Sequence, residues 1–296
     1  MAVRKEKILF IVNPISGGQD KIHFPKLVDK FLDHNIFEAA IVFSEYGGHA
    51  SVLAEEALAE EYDCVVAVGG DGTINEVASK MIFSEKKMGI IPCGSGNGLA
   101  RTLNISLKKE KAIKLLNKNK YRYIDSGKLN NRYFFNMAGI GFDARISALF
   151  ADKSNKQRGL KGYVFNILKE IRDYQSKEYD IDIDGARYKR RAFMVSIANS
   201  SQYGNNAHIS PKAELNDGLL DVCIIKPFPL YWFPVLIVRM LMKRIEQSKY
   251  LEIFRGKTIK IHPEGNKGDV HIDGEPLIVD KEVYIAVEHL SLRIMV

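Results

Sequence analysis

Short β-branched runs alternate with segments of helical periodicity over residues 1–120, and this alternation limits the possible folds more than any other feature of the sequence. Apolar runs at residues 8–12, 39–43, 64–68 and 88–91 predict four strands. Between them, apolar residues recur at the three- and four-residue spacing of amphipathic helices. Strands that alternate with helices in this way predict an α/β domain whose parallel sheet is covered by helices on both faces.

The second half of the chain has a different pattern. Residues 179–184 alternate between apolar side chains and aspartates, which is typical of a strand with one face in solvent. The Asp184-Gly185 pair then predicts a hairpin turn. Further strand-like runs follow up to the end of the chain, and helices are predicted near residues 162–174 and 230–242. This half is therefore predicted to be a mainly antiparallel β-sandwich.

No Pro/Gly/Ser-rich linker separates the two halves. We expect an α/β domain over residues 1–122 and a β-rich domain over residues 123–296. The last residues of the chain are free to pack back on the first domain.

Charge and cysteine content narrow the class of protein. Among 296 residues, 43 Lys and Arg stand against 36 Asp and Glu, which gives a net charge of +7 and suits a membrane surface or nucleic acid. No helix-turn-helix, zinc-finger or aromatic RNA-binding pattern accompanies this charge, so we expect no nucleic-acid partner. The three cysteines stand far apart, which argues against a disulfide framework or zinc site and favours a cytoplasmic protein.

The most apolar stretch, residues 229–242, is too short for a membrane span. It is interrupted by Pro234 and Arg239 and falls short of the roughly 20 residues that a spanning helix needs. Two interpretations stay open: burial against the β-rich domain, or shallow insertion at a membrane surface. The residues expected to insert are Trp232, Phe233, Leu236 and Ile237.

Three glycine-rich segments, residues 13–18, 69–73 and 94–98, each follow a predicted strand of the first domain. The carboxyl ends of parallel strands meet at one edge of a sheet, where ligands bind. Glycine lets the backbone approach a phosphate closely, and the helix after each turn offers free N–H groups. Any one segment could be a plain turn, but the three together predict a site for the phosphates of a nucleotide.

Asp71 lies between two glycines in the middle segment. A carboxylate beside a triphosphate would repel it unless a cation came between them, which predicts a Mg²⁺ ion held through water. The alternative is a helix N-cap, because a helix is predicted to begin here. Glu76, in the first turn of that helix, could equally compensate the helix dipole.

The Asp273-Gly274-Glu275 segment is the strongest candidate for acid–base chemistry, because a carboxylate could accept the proton of an attacking alcohol. Side chains two apart in a strand point the same way, so both carboxylates are expected to face one cleft. The alternative is a simple hairpin turn. His49, His208 and His271 are isolated in the sequence and are expected to be ordinary structural histidines.

Six motifs occur in an order that resembles the diacylglycerol kinase catalytic family. They occupy residues 13–18, 68–76, 92–100, 136–143, 216–221 and 272–276. The family includes soluble bacterial diacylglycerol kinases, YegS-like lipid kinases, sphingosine kinases and ceramide kinases. The resemblance covers nearly the whole chain and implies an NAD kinase- and phosphofructokinase-like α/β domain. The motif at residues 69–73 alone is shared with NAD kinases and phosphofructokinases, whereas the full series is specific.

The resemblance also implies roles for individual residues. Glu275, with Asp273 beside it, matches the proposed proton acceptor, and Asp71 is the third predicted catalytic residue. A structural Mg²⁺ is implied at the Asp217 side chain and the backbone carbonyls of Glu214 and Leu219. The positions that match ATP-binding residues are Asn13, Pro14, Ile15, Ser16, Gly17, Ser44, Gly69, Gly70, Asp71, Gly72, Thr73, Asn75, Glu76, Gly94, Ser95 and Asn97.

The implied activity is ATP- and Mg²⁺-dependent transfer of the γ-phosphate to a lipid hydroxyl in the cleft between the two domains, with diacylglycerol as the first expectation. Gly98 stands where soluble bacterial diacylglycerol kinases usually have Asp, and it looks closer to sphingosine-kinase-like sequences, so a sphingoid base stays open as acceptor. A kinase of a soluble acceptor, related to NAD kinase, and a binding-only module are the remaining alternatives. On this hypothesis residues 1–122 bind ATP and residues 123–296 bind the lipid. The expected partner is a lipid at a membrane surface, and a homodimer stays open.

Overall fold

The computed structural model describes residues 4–18, 21–151, 170–263, 267–280 and 282–296. The chain divides into two compact units. Unit 1 comprises Met1–Ser126 and His289–Val296, and unit 2 comprises Gly127–Glu288. The division thus falls four residues after the boundary expected from the sequence, and the last eight residues belong to unit 1.

Unit 1 is built on a parallel sheet in the order β2-β1-β3-β4. Every residue of β3 and β4 is buried, because helices cover both faces of such a sheet and leave no side of the strand in water. The last strand of the chain adds to β4 in parallel, with Ile294 opposite Met88. These strands confirm the α/β prediction. The elements are β1 Glu6–Val12, β2 Phe37–Phe43, β3 Cys64–Gly69, β4 Lys87–Pro92, α1 Phe24–Phe31, α2 His49–Ala59, α3 Asp71–Met81, α4 Gly98–Thr102 and α5 Lys109–Leu116.

Unit 2 is mainly antiparallel, as predicted. The elements after α5 are β5 Tyr121–Leu129, β6 Arg132–Phe134, β7 Met137–Gly141, β8 Lys177–Ile183, β9 Ala186–Ala192, β10 Met194–Ala198, β11 Leu220–Ile225, β12 Leu251–Gly256, β13 Thr258–Pro263, β14 Lys267–Ile272, β15 Glu275–Asp280, β16 Val283–Met295, α6 Phe142–Ala151 and α7 Phe233–Leu241. The first part of β5 and the last part of β16 belong to unit 1. One sheet of unit 2 has the order β12-β11-β10-β7-β14-β15, and β9, β8, β13 and the beginning of β16 pair in a second antiparallel set.

The two faces of the six-stranded sheet of unit 2 pack against different layers. In β10, Val195 and Ile197 join a cluster that also contains side chains of β8 and β13, which is the core of the sandwich. Met194, on the other face, joins a second cluster with Leu236 and Met240 of α7. The period-2 alternation of a strand explains this division, since neighbouring side chains point to opposite faces.

The predicted hairpin at Asp184-Gly185 is confirmed. Both residues have left-handed backbone conformations, with φ of 50° and 88°, and they join β8 to β9. A two-residue turn of this kind matches the twist of the strands that it connects. Of the helix predicted near residues 162–174, residues 162–169 lie outside the described part of the chain, and residues 170–173 are helical.

The apolar segment at residues 230–242 forms one short 3₁₀ turn, Leu230–Trp232, followed by α7. The expectation that Leu236 inserts in a membrane is wrong, because Leu236 is buried in the second cluster of unit 2. Trp232 and Phe233 are half-buried and pack against the rings of Tyr250 and Phe228. Among the residues that the structure describes, no helix is both long and apolar enough to cross a bilayer.

Asp125 fastens the final strand within unit 1. Its side chain is fully buried, and its Oδ1 accepts a 2.7 Å hydrogen bond from the backbone N–H of Leu290 and lies 2.9 Å from Nδ1 of His289. Leu290 has a left-handed φ of 49°, which a leucine adopts only when its surroundings hold it there. The carboxylate therefore supplies a partner for a backbone group at a strained position.

We expect Asp125→Ala to lower the free energy of unfolding by about 2 kcal/mol, because it removes the buried carboxylate and leaves the N–H of Leu290 without this acceptor. Urea denaturation of wild type and variant measures the loss. Asp125→Asn keeps an oxygen in place and should lose less. A free energy of unfolding for Asp125→Ala within about 0.5 kcal/mol of wild type would contradict the assignment.

Candidate active site

The three glycine-rich turns lie at the carboxyl ends of β1, β3 and β4. The strand ends are bonded to one another, since Asn13 N–H donates to Val68 O at 3.0 Å and Cys93 N–H donates to Gly69 O at 2.7 Å. Parallel pairing in register therefore brings the three turns to one edge of the sheet, as predicted.

Glycine is required where the turns touch. Gly17 has a left-handed φ of 68°, and a Cβ on it would lie 1.9 Å from the carbonyl oxygen of Cys93. A Cβ on Gly94 would lie 2.7 Å from the Cα of Gly70. The first and middle turns therefore pack directly against the turn after β4, and any larger residue at these positions would force them apart.

Asp71 connects the middle turn to the third. Its Oδ2 accepts the backbone N–H of Asn97 at 2.7 Å, and its Oδ1 accepts that of Gly98 at 2.8 Å. Burial raises the pKa of this carboxyl, against the opposing effect of these two N–H groups. Gly70, and not Asp71, is the N-cap of α3, so the N-cap interpretation of Asp71 is wrong.

An open cleft runs over this edge of the sheet. The first N–H groups of α3 lie here, and such groups at a helix N-terminus bind anions. The residues that line the cleft are Gly17, Gly70, Asp71, Gly72, Gly94 and Ser95. All six are among the predicted ATP-binding residues.

Several other predicted ATP-binding residues brace the turns. Asn13 accepts the N–H of Ile15 and donates from Nδ2 to Thr73 Oγ1 at 3.0 Å, which holds the first turn to α3. Asn97 is buried and bonds through its amide to both backbone groups of Gly94. These side chains hold the backbone of the turns in place.

The remaining predicted positions surround the same edge. The Glu76 carboxylate accepts the N–H of Gly48 at 3.1 Å and so ties α3 to the beginning of α2. Ser44 is buried at the end of β2, and its N–H donates to Val12 O. Ser79 donates to the side chain of Asn75. Pro14, Ile15, Ser16 and Gly69 belong to the turns themselves, and Ile15 is 84% exposed.

Asp273 and Gly274 form a two-residue hairpin turn between β14 and β15, with φ of 48° and 87°. Strand alternation therefore does not apply to Asp273 and Glu275, and the expectation based on it is wrong. The Asp273 carboxylate accepts the backbone N–H groups of Phe135, Asn136 and Met137 at 3.0, 2.9 and 3.0 Å. Asp273 thus holds the chain that leads into β7.

Glu275 occupies a different environment. It is the first residue of β15, lies opposite Ile272 across the hairpin, and is exposed. An exposed carboxylate next to the turn can approach a substrate hydroxyl, and the Asp273 carboxylate holds three backbone groups.

The same hairpin borders an apolar cavity of about 390 Å³ in unit 2. Its apolar wall is built from α6, α7 and the helix-facing side of the six-stranded sheet, and it includes Phe142, Met194, Phe233, Ile237 and Met240. Its polar lining includes Asn136, Asp143, Tyr203, His271 and Asp273. A pocket of this size with few polar groups is suited to an apolar ligand with one polar end.

Asp143 is the centre of the polar part of this lining. Its Oδ2 accepts the hydroxyls of Ser196 and Tyr203 at 2.9 and 3.2 Å and lies 3.2 Å from Nε2 of His271. Burial, followed by the charge of Asp143, raises the pKa of Tyr203 well above its usual value, so Tyr203 stays a hydroxyl donor. Gly139 makes room for the cluster, since a Cβ there would lie 2.0 Å from Asp143 Oδ2.

Sequence reasoning did not assign a role to this cluster. The sequence predicts an ordinary structural histidine at His271, and the structure places it, 2% exposed, against the Asp143 carboxylate on the cavity wall. The available signal was the motif at residues 136–143, which ends in Asp143 and to which no chemistry was attached. His208, by contrast, is buried beside Ser201, away from this lining.

The structural Mg²⁺ implied at Asp217 does not fit the side chains as they stand. Asp217 bonds to the guanidinium of Arg255 and accepts the N–H of Leu219 at 3.0 Å, while Arg255 Nε also donates to Asp221 at 2.8 Å. Arg255 therefore supplies the positive charge between the carboxylates of Asp217 and Asp221. Glu214 is exposed. Within the described ranges, no group of three His, Cys, Asp or Glu side chains could hold a metal ion. The Mg²⁺ ion at Asp217 stays a prediction of the family resemblance.

We expect Asp217→Ala to lower the melting temperature by about 3–6 °C, because Arg255 and the Leu219 N–H lose a shared partner. Thermal unfolding in Mg²⁺ and in EDTA measures whether an ion contributes. With Arg255 as the counter-charge, EDTA should shift wild type and Asp217→Ala equally. If EDTA lowered the melting temperature of wild type but not that of Asp217→Ala, Asp217 would be shown to hold a metal ion.

Two family models match the chain. The one described as the diacylglycerol kinase catalytic domain matches residues 7–129, and the one described as the YegS C-terminal NAD kinase beta sandwich-like domain matches residues 136–294. Among curated relatives, a diacylglycerol kinase of Bacillus subtilis is 29% identical over 272 residues, which cover 90% of this chain and 88% of that protein. A probable YegS-like lipid kinase of Pseudomonas putida is 30% identical over 233 residues, which cover 78% of this chain and 76% of that protein.

Solved structures confirm the predicted fold class. A putative diacylglycerol kinase from Bacillus anthracis superposes with a TM-score of 0.80 at 24% identity, over 99% of this chain and 98% of that one. A yeast NADH kinase superposes with a TM-score of 0.51 at 13% identity, over 98% of this chain and 83% of that one. At these identities the likeness shows the fold alone. On the sequence matches, the chain belongs to the family of diacylglycerol kinases and YegS-like lipid kinases, which are phosphotransferases.

Proposed function

We propose that this protein uses ATP and Mg²⁺ to phosphorylate the hydroxyl group of a lipid, with diacylglycerol as the first candidate. The observation that carries the proposal is the apolar cavity of unit 2, since a sugar or nucleotide acceptor would need no such space. Unit 1 supplies the nucleotide site in this proposal, and unit 2 supplies the acceptor site and the proton acceptor.

The cleft of unit 1 suits a chain of phosphates. Glycines keep side chains out of the way, and the N-terminus of α3 supplies N–H donors for phosphate oxygens. When bound, Mg²⁺ neutralises charge on the phosphate oxygens during transfer. Both oxygens of Asp71 already accept backbone N–H groups, so Asp71 would contact this ion through water. Burial raises the pKa of the Asp71 carboxyl, and the positive charge of the ion would favour its ionised form.

Glu275 is the proposed general base. The lipid oxygen bonds to the γ-phosphorus as the bond between that phosphorus and the β–γ bridging oxygen breaks, and the hydroxyl proton passes to the Glu275 carboxylate. Asp273 acts in this proposal as a positioning residue, because its carboxylate holds three backbone N–H groups of the chain before β7. It fixes the hairpin on which Glu275 stands.

The polar lining of the cavity favours a neutral acceptor. The Asp143 carboxylate already faces three polar groups, so it needs no cationic amine as partner. A sphingoid base remains the second candidate, since its amine could replace one of these contacts and since Gly98 resembles the sphingosine-kinase-like pattern. A soluble acceptor is the third.

The direct test is transfer of radiolabelled phosphate from ATP to a panel of diacylglycerols, sphingoid bases and soluble alcohols such as NAD and sugars. Phosphorylation of diacylglycerol at the highest kcat/KM is expected. If a sphingoid base were preferred, the protein would still be a lipid kinase, but with a different acceptor. Phosphorylation of soluble alcohols alone would contradict the proposal.

Asp71→Asn should lower kcat by about 10²-fold, because an amide cannot accept both N–H groups of the third turn or balance a Mg²⁺ ion. Steady-state kinetics measure the effect on kcat, and the melting temperature should fall by about 2–4 °C, because one N–H group of the third turn loses its acceptor. Asp29→Asn, at an exposed aspartate of α1, is the matched control and should behave as wild type. Near-wild-type kcat in Asp71→Asn would remove this residue from the mechanism.

Glu275→Gln should lower kcat by at least about 10²-fold with the KM for ATP nearly unchanged, because it removes only the proton acceptor. Asp273→Asn should raise the acceptor KM and lower the melting temperature, since it loosens the hairpin. Varying ATP and lipid independently separates these effects. If Asp273→Asn lost kcat while Glu275→Gln kept it, the two roles would be reversed.

A further inference from the structure

The helix α7 has two apolar faces, and only one of them is covered. Leu236 and Met240 are 2% and 7% exposed and pack in the second cluster of unit 2. The opposite side, which we call the outer face of α7, includes the preceding turn and the residue after the helix. Its members and their exposed fractions are Leu230 48%, Tyr231 75%, Val235 39%, Val238 51%, Leu241 51% and Met242 55%.

Six large apolar side chains side by side form a patch larger than the scattered exposed residues of an ordinary surface, and such patches mark interaction sites. The charged residues of the segment that carries the patch have one sign, and Glu246, which follows this segment, pairs with Lys212. From Pro227 to Ile245 the charged residues are Arg239, Lys243 and Arg244, and this stretch contains no Asp or Glu. Lys243 and Arg244 are exposed at the carboxyl end of α7.

The outer face is continuous with the cavity. Ile237 is 40% exposed and also lines the apolar cavity, together with Phe233 on the same helix. One helix therefore presents apolar side chains to the cavity and to the surface, and Ile237 belongs to both. A lipid could pass from a bilayer into the cavity along this side without exposing its chains to water.

Charge argues against a second copy of the chain as the partner. In a symmetric dimer the same patch meets itself, which would bring Arg239, Lys243 and Arg244 against their own copies. An anionic bilayer offers an apolar interior for the six side chains and negative headgroups for the three cations.

We propose that the outer face of α7 docks the protein on an anionic membrane surface, so that the acceptor lipid enters the cavity past Ile237. This inference rests on the proposed lipid kinase function for its purpose, but the docking itself can be measured without ATP. Of the residues expected from the sequence, the proposal keeps Ile237, which is 40% exposed, and leaves out Leu236, which is buried. The exposed side chains of Tyr231, Val238 and Leu241 are added.

Sedimentation with vesicles of phosphatidylcholine, with and without about 30% phosphatidylglycerol, tests the docking. Wild type should sediment with the anionic vesicles, and high salt should weaken this binding. Val238→Ser/Leu241→Ser should bind at least about 10-fold more weakly, with an unchanged melting temperature. Val52→Ser/Leu107→Ser is the matched control, because it removes one valine and one leucine that are each 42% exposed in unit 1, and it should bind as wild type.

A charge variant and a soluble acceptor complete the test. Lys243→Gln/Arg244→Gln should lose the salt-sensitive part of the binding. With a dispersed short-chain diacylglycerol, Val238→Ser/Leu241→Ser should keep the kcat/KM of wild type, whereas with acceptor in vesicles it should lose about as much as in binding. Activity on the short-chain acceptor reports on the proposed function, and sedimentation without ATP reports on docking, so failure of either is recognisable.

Three results would overturn the proposal. The first is a folded wild type that does not sediment with anionic vesicles. The second is equal vesicle binding by wild type and Val238→Ser/Leu241→Ser. The third is a wild-type dimer that this variant converts to a monomer while vesicle binding is unchanged, which would make the outer face a subunit interface.

Discussion

The two hydrogen bonds from the Asp71 carboxylate to the N–H groups of Asn97 and Gly98 are the contacts on which the nucleotide site depends. They hold the turn after β4 against the turn after β3, where Gly70 and Gly94 pack too closely for any side chain. The carboxyl is partly removed from water, and burial raises its pKa, so a cation beside it would offset part of the cost of keeping it ionised. The turns are thus assembled before any ligand arrives, which lowers the ordering cost of binding.

In unit 2, too, an aspartate carboxylate holds a neighbouring backbone segment by accepting its N–H groups. The carboxylate of Asp273 accepts three backbone N–H groups and joins the β14–β15 hairpin to the chain before β7. The glycine–aspartate motifs at Asp71 and Asp273 therefore both use the aspartate to hold a neighbouring backbone segment. In the proposed mechanism this leaves Asp71 to act on a cation through water and leaves Glu275, which is exposed at the end of the hairpin, to take the proton.

Much of this architecture was predictable because local patterns decide it. The apolar runs that became β1, β3 and β4 are buried on both faces, and the Asp184-Gly185 turn needs two left-handed residues. The cluster around Asp143 was not predictable in the same way, because His271 lies 128 positions away and only the pairing of β7 with β14 brings the two together. The helical period of residues 230–242 was visible, but which side of α7 is buried depends on the sheet beneath it.

Hydrogen exchange with and without Mg²⁺ and a non-hydrolysable ATP analogue tests most directly whether the three turns bind the triphosphate. Binding should slow exchange of the backbone amides in peptides that contain residues 13–18, 70–74 and 94–98, because these N–H groups would donate to phosphate oxygens or lie beneath them. Peptides from the core of unit 2, such as those of β10 and β11, should be unchanged. Unaltered exchange in all three turns at saturating analogue would contradict the nucleotide site, and with it the account of how this chain carries out phosphate transfer.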